Sequence, residues 1–400
     1  MESIVEVADG IHWVGANDRE TDLFENIWPL PHGVAYNSYL VRGDKTALID
    51  TVKTVNGPPF LSRVRELLGP DGRLDYLVFN HVEPDHSGIV RVVREIWPDV
   101  TIIGNKKTAE FLGHLHGVVD NIQIIGDGDA LELGGRTLRF HLVPMVHWPE
   151  TMVTHDERTG VLFSCDAFGA FGTLDGGLFD DQIDVARAES EMLRYYSNIV
   201  GRYSMMVAKA LDKLAGLDVK IICPSHGPVW RSDPGEVIAR YRRWANYEAE
   251  RGVVLCYGSM YANTRRMMES VAEGLGAGGE KRIVVHDVSR IHLSTMLRDA
   301  WRYRAVILGA PTYDMKLYPP MAHLVDLLER KGLKNRLLGI FGSYGWSGGG
   351  VSALQGFAER SGWELIEPVV EARFSPEPEL LEQCRALGRS VARRLAEQDD

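Results

Sequence analysis

The fold is decided by the stretch His81-Val82-Glu83-Pro84-Asp85-His86, in which four of six side chains can bind a metal. It follows an apolar run at residues 76–79 that is typical of a buried strand. In an extended chain alternate residues share one face, so His81, Glu83 and Asp85 are expected to converge on one point while His86 turns toward another. Pro84 is expected to exclude a helix through this stretch, and with it a helical surface stripe. A metal site is predicted, against the alternative of a polar loop that happens to be rich in histidine and acids.

Length and composition indicate an ordinary globular protein of two domains. A chain of 400 residues is too long to fold around one hydrophobic core of ordinary size. Of its residues, 45% are apolar and 25% are charged. The net charge of −11, without a cluster of Lys and Arg, argues against nucleic-acid binding. No apolar run reaches bilayer length and no signal peptide is visible, so no membrane association is expected. Four scattered cysteines without a Cys-x-x-Cys pair indicate a cytoplasmic setting and exclude an internal rubredoxin.

The first domain is predicted at residues 1–250, where short apolar strands alternate with turns rich in Gly, Asp and Pro. The predicted strands are 35–41, 46–50, 75–79, 101–103, 137–143, 161–164 and 220–223. The predicted helices are 59–68, 88–97, 108–116 and the long stretch 187–214. A charged helix near residues 234–251 is interpreted as the connector.

The second domain is predicted at residues 251–400, where strands and helices alternate regularly. The predicted strands are 253–257, 282–285, 305–309, 337–341 and 365–370. Helices are predicted at 265–274, 294–303, 319–329 and 351–361, with a terminal helix after the last strand. Five strands that alternate with helices predict a parallel, doubly wound α/β sheet.

Three more candidate ligands each follow a predicted strand of the first domain: His147, Asp166 and His226. Loops at strand ends concentrate active-site groups, because the scaffold holds them beside an open cleft. Taken singly, a histidine at a strand end is more often a hydrogen-bonded structural residue. The combination of all four segments carries the prediction of a metal centre.

A phosphate cradle is predicted after the first strand of the second domain, in the loop Ser259, Met260, Tyr261, Ala262, Asn263 and Thr264. Hydroxyls and backbone amides at a helix N-terminus favour an anion. The loop lacks the Gly-x-Gly-x-x-Gly pattern, which disfavours a pyridine nucleotide. Standing alone, it would be interpreted as a simple polar helix cap.

Two later loops at the carboxyl ends of strands shift that balance toward a flavin. The candidate flavin contacts in these loops are Pro311, Thr312, Tyr313, Asp314, Ser343, Tyr344, Gly345, Trp346 and Gly348. Aromatic faces among glycines suit a planar ring. The alternative for the aromatic residues is a dimer contact or an ordinary exposed position. Because only one phosphate cradle is visible, the predicted flavin is FMN.

The pattern His81-x-Glu83-x-Asp85-His86 with His147, Asp166 and His226 resembles the metallo-β-lactamase superfamily, and within it the flavodiiron proteins. Hydrolases of that superfamily usually carry His where Glu83 stands. The resemblance covers essentially the whole chain. It implies an N-terminal metallo-β-lactamase-like αββα sandwich and a C-terminal flavodoxin-like doubly wound sheet. The phosphate loop departs from the flavodoxin pattern in having Ala262, where Gly is frequent.

The resemblance implies a non-haem diiron site and assigns no separate acid or base. The implied ligands are His81, Glu83 and His147 for the iron nearer the flavin, Asp85, His86 and His226 for the other, and Asp166 as the bridge. Independently, four imidazoles and three carboxylates without a thiolate suit iron or manganese better than a structural zinc. The alternative is a binuclear zinc hydrolase fused to a flavodoxin module, against which Glu83 counts.

The two sites together predict a cytoplasmic reductase that passes electrons through FMN to two iron ions. The expected reaction is reduction of O2 to water, of NO to N2O, or both, and residues near the second iron such as Phe24, Glu25 or Trp148 would decide between them. The donor is expected to be external, a rubredoxin or, as in some relatives, reduced coenzyme F420. A head-to-tail homodimer, or a dimer of such dimers, is implied because the two sites of one chain are expected to lie far apart.

Overall fold

The computed structural model describes residues 4–398, which divide into two compact units between Arg242 and Arg243. That division falls inside the helix Pro234–Ala245, within the connector predicted from the sequence. The domain boundary after residue 250 stays a proposal. Within residues 4–398 no helix is both long and apolar enough to cross a membrane.

The first unit is built mainly of short strands. They are β1 (Val5–Ala8), β2 (Ile11–Trp13), β3 (Ala16–Asp18), β4 (Leu23–Phe24), β5 (Trp28–Pro29), β6 (Val34–Tyr36), β7 (Tyr39–Arg42), β8 (Thr46–Ile49), β9 (Tyr76–Val78), β10 (Thr101–Gly104), β11 (Ile122–Ile124), β12 (Ala130–Glu132), β13 (Thr137–Leu142), β14 (Met152–Asp156), β15 (Val161–Cys165) and β16 (Ile221–Pro224). One predicted strand, 35–41, is two strands in the structure, because the side chain of Asn37 turns between them to donate to the carbonyls of Pro224 and Gly227.

The α-helices that begin in the first unit are α1 (Gly57–Leu68), α2 (Pro84–Ser87), α3 (Val90–Ile96), α4 (Lys106–His116), α5 (Val185–Tyr195), α6 (Ser204–Leu214) and α7 (Pro234–Ala245). The single helix predicted over 187–214 is interrupted by a π-helical turn at Tyr196–Val200 and a 3-10 turn at Gly201–Tyr203. Within the interruption, Ser197 and Asn198 donate side-chain hydrogen bonds to the carbonyl of Arg194, which compete with regular helical bonds.

Two sheets enclose the core of the first unit. Seven strands pair in the order β1-β2-β7-β8-β9-β10-β11, and five in the order β12-β13-β14-β15-β16. Apolar side chains from both sheets form one buried cluster, in which the rings of Tyr39 and Phe163 lie 5.3 Å apart. The predicted sandwich is confirmed, and the ligand-bearing loops follow β9, β13, β15 and β16.

The second unit alternates strands and helices. Its elements are β17 (Glu250–Tyr257), α8 (Asn263–Ala277), β18 (Ile283–Asp287), α9 (Leu293–Arg302), β19 (Tyr303–Tyr313), β20 (Lys316–Leu317), α10 (Pro319–Lys331), β21 (Leu337–Tyr344), α11 (Gly350–Ser361), β22 (Glu364–Arg373) and α12 (Pro378–Ala396). Five parallel strands pair in the order β18-β17-β19-β21-β22, and β20 forms a hairpin with β19. The predicted doubly wound sheet is confirmed.

Helices α8 and α12 pack against one face of this sheet and share its apolar core. Their contact depends on two glycines. A Cβ at Gly274 would lie 2.1 Å from the carbonyl oxygen of Arg385, and one at Gly388 would lie 2.2 Å from that of Val271. The backbones therefore approach more closely than any side chain allows.

Candidate metal centre

The loop after β9 carries the predicted ligand cluster and turns into a helix halfway along it. Glu83 precedes that helix with non-helical angles (φ −54°, ψ 144°), and Pro84 is the first residue of α2. No helix runs through the whole stretch, as predicted, but one begins at Pro84 itself, because the first helical position needs no N–H donor. The helical turn separates Asp85 from Glu83, so the expected convergence of His81, Glu83 and Asp85 on one point was wrong.

A first group of potential ligands combines His81, Glu83, His147 and Asp166, whose donor atoms all lie within 4.8 Å of one another. The Nε2 atom of His81 lies 3.1 Å from Oε2 of Glu83 and 3.5 Å from Oδ2 of Asp166. The Nε2 atom of His147 lies 3.2 Å from the same Glu83 oxygen and 3.0 Å from the same Asp166 oxygen. The four donors face one small volume.

A second group combines Asp85, His86 and His226, also within 4.8 Å. The two carboxylate oxygens of Asp85 lie 3.4 Å from Nε2 of His86 and 3.4 Å from Nε2 of His226. The Oδ1 atom of Asp166 lies 3.1 Å from His86 and 3.4 Å from His226 at the same nitrogens. Asp166 thus turns one oxygen toward each group, and all seven predicted residues come together.

Both groups are buried, and much of their hydrogen-bonding capacity is unused. His81, Asp166 and His226 are 0% exposed. Among residues 4–398, no hydrogen-bonding partner is found for either oxygen of Asp85 or Asp166, either nitrogen of His86, or Nε2 of His226. Buried charges and lone pairs of this kind are costly unless cations compensate them. Nitrogen and oxygen donors without a thiolate fit two first-row metal ions such as iron.

Proximity shifts the acidities of these groups strongly. Burial opposes ionisation of Glu83, but the imidazoles of His147 and His81 lower its pKa to about 2. Burial favours neutral imidazoles, yet the carboxylates of Asp166 and Glu83 raise the pKa of His147 to about 9. Asp166 and Asp85 likewise raise the pKa of His226 to about 10. At pH values below these raised pKa values the metal-free imidazoles of His147 and His226 favour the protonated form, and a metal ion must displace those protons.

The residues around the ligands include some that the sequence analysis missed. The buried carboxylate of Glu150 places Oε1 2.5 Å from Nδ1 of His81, and its only sequence signal is its position three residues after His147. The ring of Tyr195 lies 5.4 Å from that of His226, and its buried hydroxyl has no hydrogen-bond partner among the described residues. Nothing in the sequence singles it out from its helical neighbours.

Of the residues named for substrate choice, Phe24 and Trp148 contact ligand rings. The ring of Phe24 lies 5.3 Å from that of His226, and Trp148 lies 5.1 Å from His81. The carboxylate of Glu25 instead accepts a hydrogen bond from the indole of Trp28.

In the second unit, the predicted cradle lies between β17 and α8. Ala262 precedes α8 with φ +67°, a conformation that glycine adopts more easily. The hydroxyl of Thr264 lies 2.9 Å from that of Ser343, which joins this loop to the end of β21. The predicted loop at residues 311–314 belongs to β19 as far as Tyr313, and Asp314 begins a tight turn with φ +48°.

The other predicted flavin residues lie near the same strand ends. Ser343 and Tyr344 are the last residues of β21, and Gly345, Trp346 and Gly348 follow it. Trp346 is 89% exposed and Tyr261 87% exposed. These aromatic faces are available to a flavin or a protein partner, and the flavin contacts themselves stay a prediction.

The chain is similar to known proteins along almost its whole length. Residues 34–227 match the model of the ODP family beta lactamase, and residues 255–388 match that of flavodoxin. The nitric oxide reductase of Moorella thermoacetica is 34% identical over 99% of this chain and 100% of its own length. The rubredoxin oxygen:oxidoreductase of Desulfovibrio gigas superposes with a TM-score of 0.93 at 30% identity, covering 99% of each chain.

The flavodiiron protein of Giardia intestinalis also superposes with a TM-score of 0.93, at 28% identity, over 99% of this chain and 97% of its own. Both halves of the predicted resemblance are thereby confirmed. The chain belongs to the flavodiiron family and is an oxidoreductase.

Proposed function

We propose that this protein passes electrons from an external donor through FMN to a non-haem diiron site that reduces O2 to water, NO to N2O, or both. The observation that carries the proposal is Asp166, whose two oxygens face two separate buried ligand groups. A bridged metal pair of this kind, joined in one chain to a flavodoxin unit, suits multi-electron reduction. When bound, two ferrous ions and reduced FMN together supply four electrons.

The donor set supports iron rather than hydrolytic zinc. Glu83 and Asp166 place two carboxylates in the first group, and Asp85 adds a third in the second. Negative ligands stabilise the higher oxidation state and so help a reduced metal pair to give up electrons. The zinc hydrolases of the superfamily usually carry a histidine, which is neutral as a ligand, at the position of Glu83.

The residues around the site support a small uncharged substrate. Aromatic rings of Phe24, Tyr36 and Tyr195 lie 5.3–5.5 Å from the ring of His226 and keep water from the second group. The edge of the metal centre that solvent can reach lies at Glu83 and Asp85, whose side chains are 15% and 14% exposed. An apolar wall with a narrow polar edge admits a diatomic gas more readily than a charged ester or lactone.

The relatives support both gases and a protein donor. One is named a nitric oxide reductase and another a rubredoxin oxygen:oxidoreductase, so we keep O2 and NO as alternatives. Rubredoxin is the proposed donor, and reduced coenzyme F420 is the alternative. We further propose a head-to-tail homodimer or a dimer of dimers. Four buried, unpaired cysteines support the proposed cytoplasmic location.

Metal and flavin analysis combined with gas consumption tests this function. The purified protein is expected to contain FMN and iron and to consume O2 or NO steadily with reduced rubredoxin. Stoichiometric zinc without iron, together with lactone or phosphodiester hydrolysis, would support the zinc hydrolase instead. Iron and FMN without turnover of either gas would indicate a carrier or sensor.

A further inference from the structure

We infer that Glu150 is a positioning residue that makes the two metal positions unequal, so that the position of His81, Glu83 and His147 holds its iron more tightly. The inference rests on the proposed diiron site but concerns metal affinity, which can be measured without turnover. It assigns a role to a buried carboxylate outside the seven predicted ligands.

Glu150 is buried and hydrogen-bonded to the segment that carries His81. The residue is 1% exposed, and its Oε1 atom lies 2.5 Å from Nδ1 of His81. The same oxygen accepts the backbone N–H of Val82 at 3.2 Å. Glu150 therefore holds both the ring of His81 and the backbone beside it.

The backbone of Glu150 is itself anchored. Its carbonyl accepts a 2.6 Å hydrogen bond from the side chain of Asn105. Asn105 caps α4, since its side-chain oxygen accepts from the backbone N–H groups of Lys107 and Thr108. The ring of Trp148 packs 5.1 Å from that of His81 and restricts it from another side. The N-terminus of α4 and the indole of Trp148 thus hold the carboxylate of Glu150 and the imidazole of His81 in fixed positions relative to each other.

This contact determines which nitrogen of His81 is available. With its proton on Nδ1 donated to Glu150, His81 presents the lone pair of Nε2 toward Glu83 and Asp166. A carboxylate acceptor at the far nitrogen raises the basicity of a metal-binding imidazole and fixes its tautomer. Glu150 therefore strengthens His81 as a ligand without touching the metal.

At the second position, no carboxylate of residues 4–398 is hydrogen-bonded to the Nδ1 atom of either imidazole. The Nδ1 atom of His226 lies 2.8 Å from the carbonyl oxygen of Ala35, a neutral acceptor. Among the described residues, Nδ1 of His86 has no hydrogen-bond partner. Since Asp166 is shared, the ligands and the acceptors hydrogen-bonded to their rings give the first position the added negative charge of Glu83 and Glu150 and the second that of Asp85. The buried carboxylate of Asp50 interacts with both His86 and His81 and so favours neither position. The second iron is expected to leave first.

Iron release to a chelator tests this inference on the full-length protein. Iron-loaded protein is mixed anaerobically with excess ferrozine, and the absorbance is followed with time. Wild-type protein is expected to release iron in two phases of equal amplitude. In Glu150→Gln, which keeps an acceptor for Nδ1 but loses the charge, the slow phase is expected to accelerate roughly 10- to 100-fold toward the fast one.

Further variants separate charge from orientation and from folding. Glu150→Ala is expected to accelerate the slow phase more than Glu150→Gln, and Glu150→Asp to restore part of the difference. Glu157→Gln, a carboxylate that pairs at the surface with Arg139, is the matched control and should release iron as the wild type does. FMN content and the circular-dichroism spectrum report on folding.

Two results would overturn the inference: a single release phase in the wild type, or unchanged two-phase release in both Glu150→Gln and Glu150→Ala. Neither result depends on gas consumption. Two-phase release that merges in Glu150→Gln, in a protein that consumes neither O2 nor NO, would uphold the inference and refute the proposed reductase.

Discussion

The Oε2 atom of Glu83 lies 3.2 Å from Nε2 of His147, so a carboxylate stands inside a ligand group that is otherwise completed by histidines and the shared Asp166. The same oxygen lies 3.1 Å from His81. We propose that one negative charge at this point favours a metal that changes its oxidation state over the zinc of a hydrolase.

Replacing this carboxylate should redirect the metal preference. In Glu83→His the first group loses one negative charge, so we expect zinc to replace iron during expression. Gas consumption is expected to fall roughly 100-fold or more, which exceeds the loss typical of replacing a residue that only contacts a metal ligand. Elemental analysis and an oxygen electrode measure both effects. Glu110→His, on the exposed surface of α4, is the control. An iron-loaded, fully active Glu83→His protein would refute the role given to Glu83.

Asp166 should matter to both metal positions, whereas His86 should matter to one. Because Asp166 faces His147 with one oxygen and His86 with the other, Asp166→Ala is expected to lose iron from both groups. His86→Asn is expected to lose iron mainly from the second group. Iron content per chain, with FMN content as an internal reference, distinguishes the variants. Equal iron loss in both would contradict the bridging geometry.

The metal-free protein should lose stability as pH rises, while metal binding grows stronger. The pKa values of His147 and His226 are raised to about 9 and about 10, so their stabilising effect is complete below about 6.5 and disappears as pH rises through 9 to 10. The pKa of Glu83 is lowered to about 2, so its contribution is present above about 4.5 and disappears as pH falls through 2.

Thermal unfolding of metal-free protein between pH 5 and 10 checks this window. The melting temperature is expected to fall between about pH 6.5 and 10, and iron-loaded protein is expected to resist that fall, since deprotonated imidazoles bind the metal. A metal-free protein that becomes more stable over the same range would contradict the paired-charge account.

In the second unit, the hydroxyl of Thr264 should contribute to FMN binding. It lies at the start of α8 and 2.9 Å from the hydroxyl of Ser343. Loss of one hydrogen bond to a charged phosphate costs about 1.5–3 kcal/mol, so Thr264→Val is expected to weaken FMN binding roughly 10- to 100-fold. Fluorescence titration of deflavinated protein measures the affinity. Thr295→Val, near the start of α9, should bind FMN normally.

The stability of the second unit should depend on Arg336, which is 1% exposed. Its guanidinium donates to the carbonyls of Ala300 and Trp301 near the end of α9 and to that of Tyr247. Arg336→Met leaves these buried carbonyls without their donor, and we expect a loss of about 3–5 kcal/mol. Urea unfolding measures it, with the exposed Arg330→Met as control. A loss below about 1 kcal/mol would show that water replaces the guanidinium.

The ligand residues could be predicted because each lies in the segment that follows a strand, and the apolar pattern of those strands is readable in the sequence. All seven come together in the structure, although their binding of iron stays a prediction. The sheet of the second unit was predicted because β17, β19 and β21 contain clear apolar runs and because strands and helices alternate regularly along it. Strand β14 was missed, because its five buried residues include Thr154, His155 and Asp156.

Other features depend on contacts that no local pattern records. The helix that begins at Pro84 could not be predicted from the sequence, because proline is compatible both with the first position of a helix and with an extended chain. Glu150 acquires its role only when the loop after β13 folds against His81, 69 residues earlier in the chain. The position of Tyr195 beside His226 could not be predicted, because Tyr195 is the last residue of α5. Just beyond it, the side chains of Ser197 and Asn198 interrupt the helix that the sequence predicted.

The most direct test of the central claim is the reoxidation of fully reduced protein mixed with O2, and separately with NO, in a stopped-flow spectrophotometer. Wild-type protein is expected to oxidise its flavin at the rate at which one or both gases disappear, without releasing hydrogen peroxide. The same rate in the metal-depleted Asp166→Ala protein, with hydrogen peroxide released by both proteins under O2, would contradict the account, because bare flavin would then be the site of reaction.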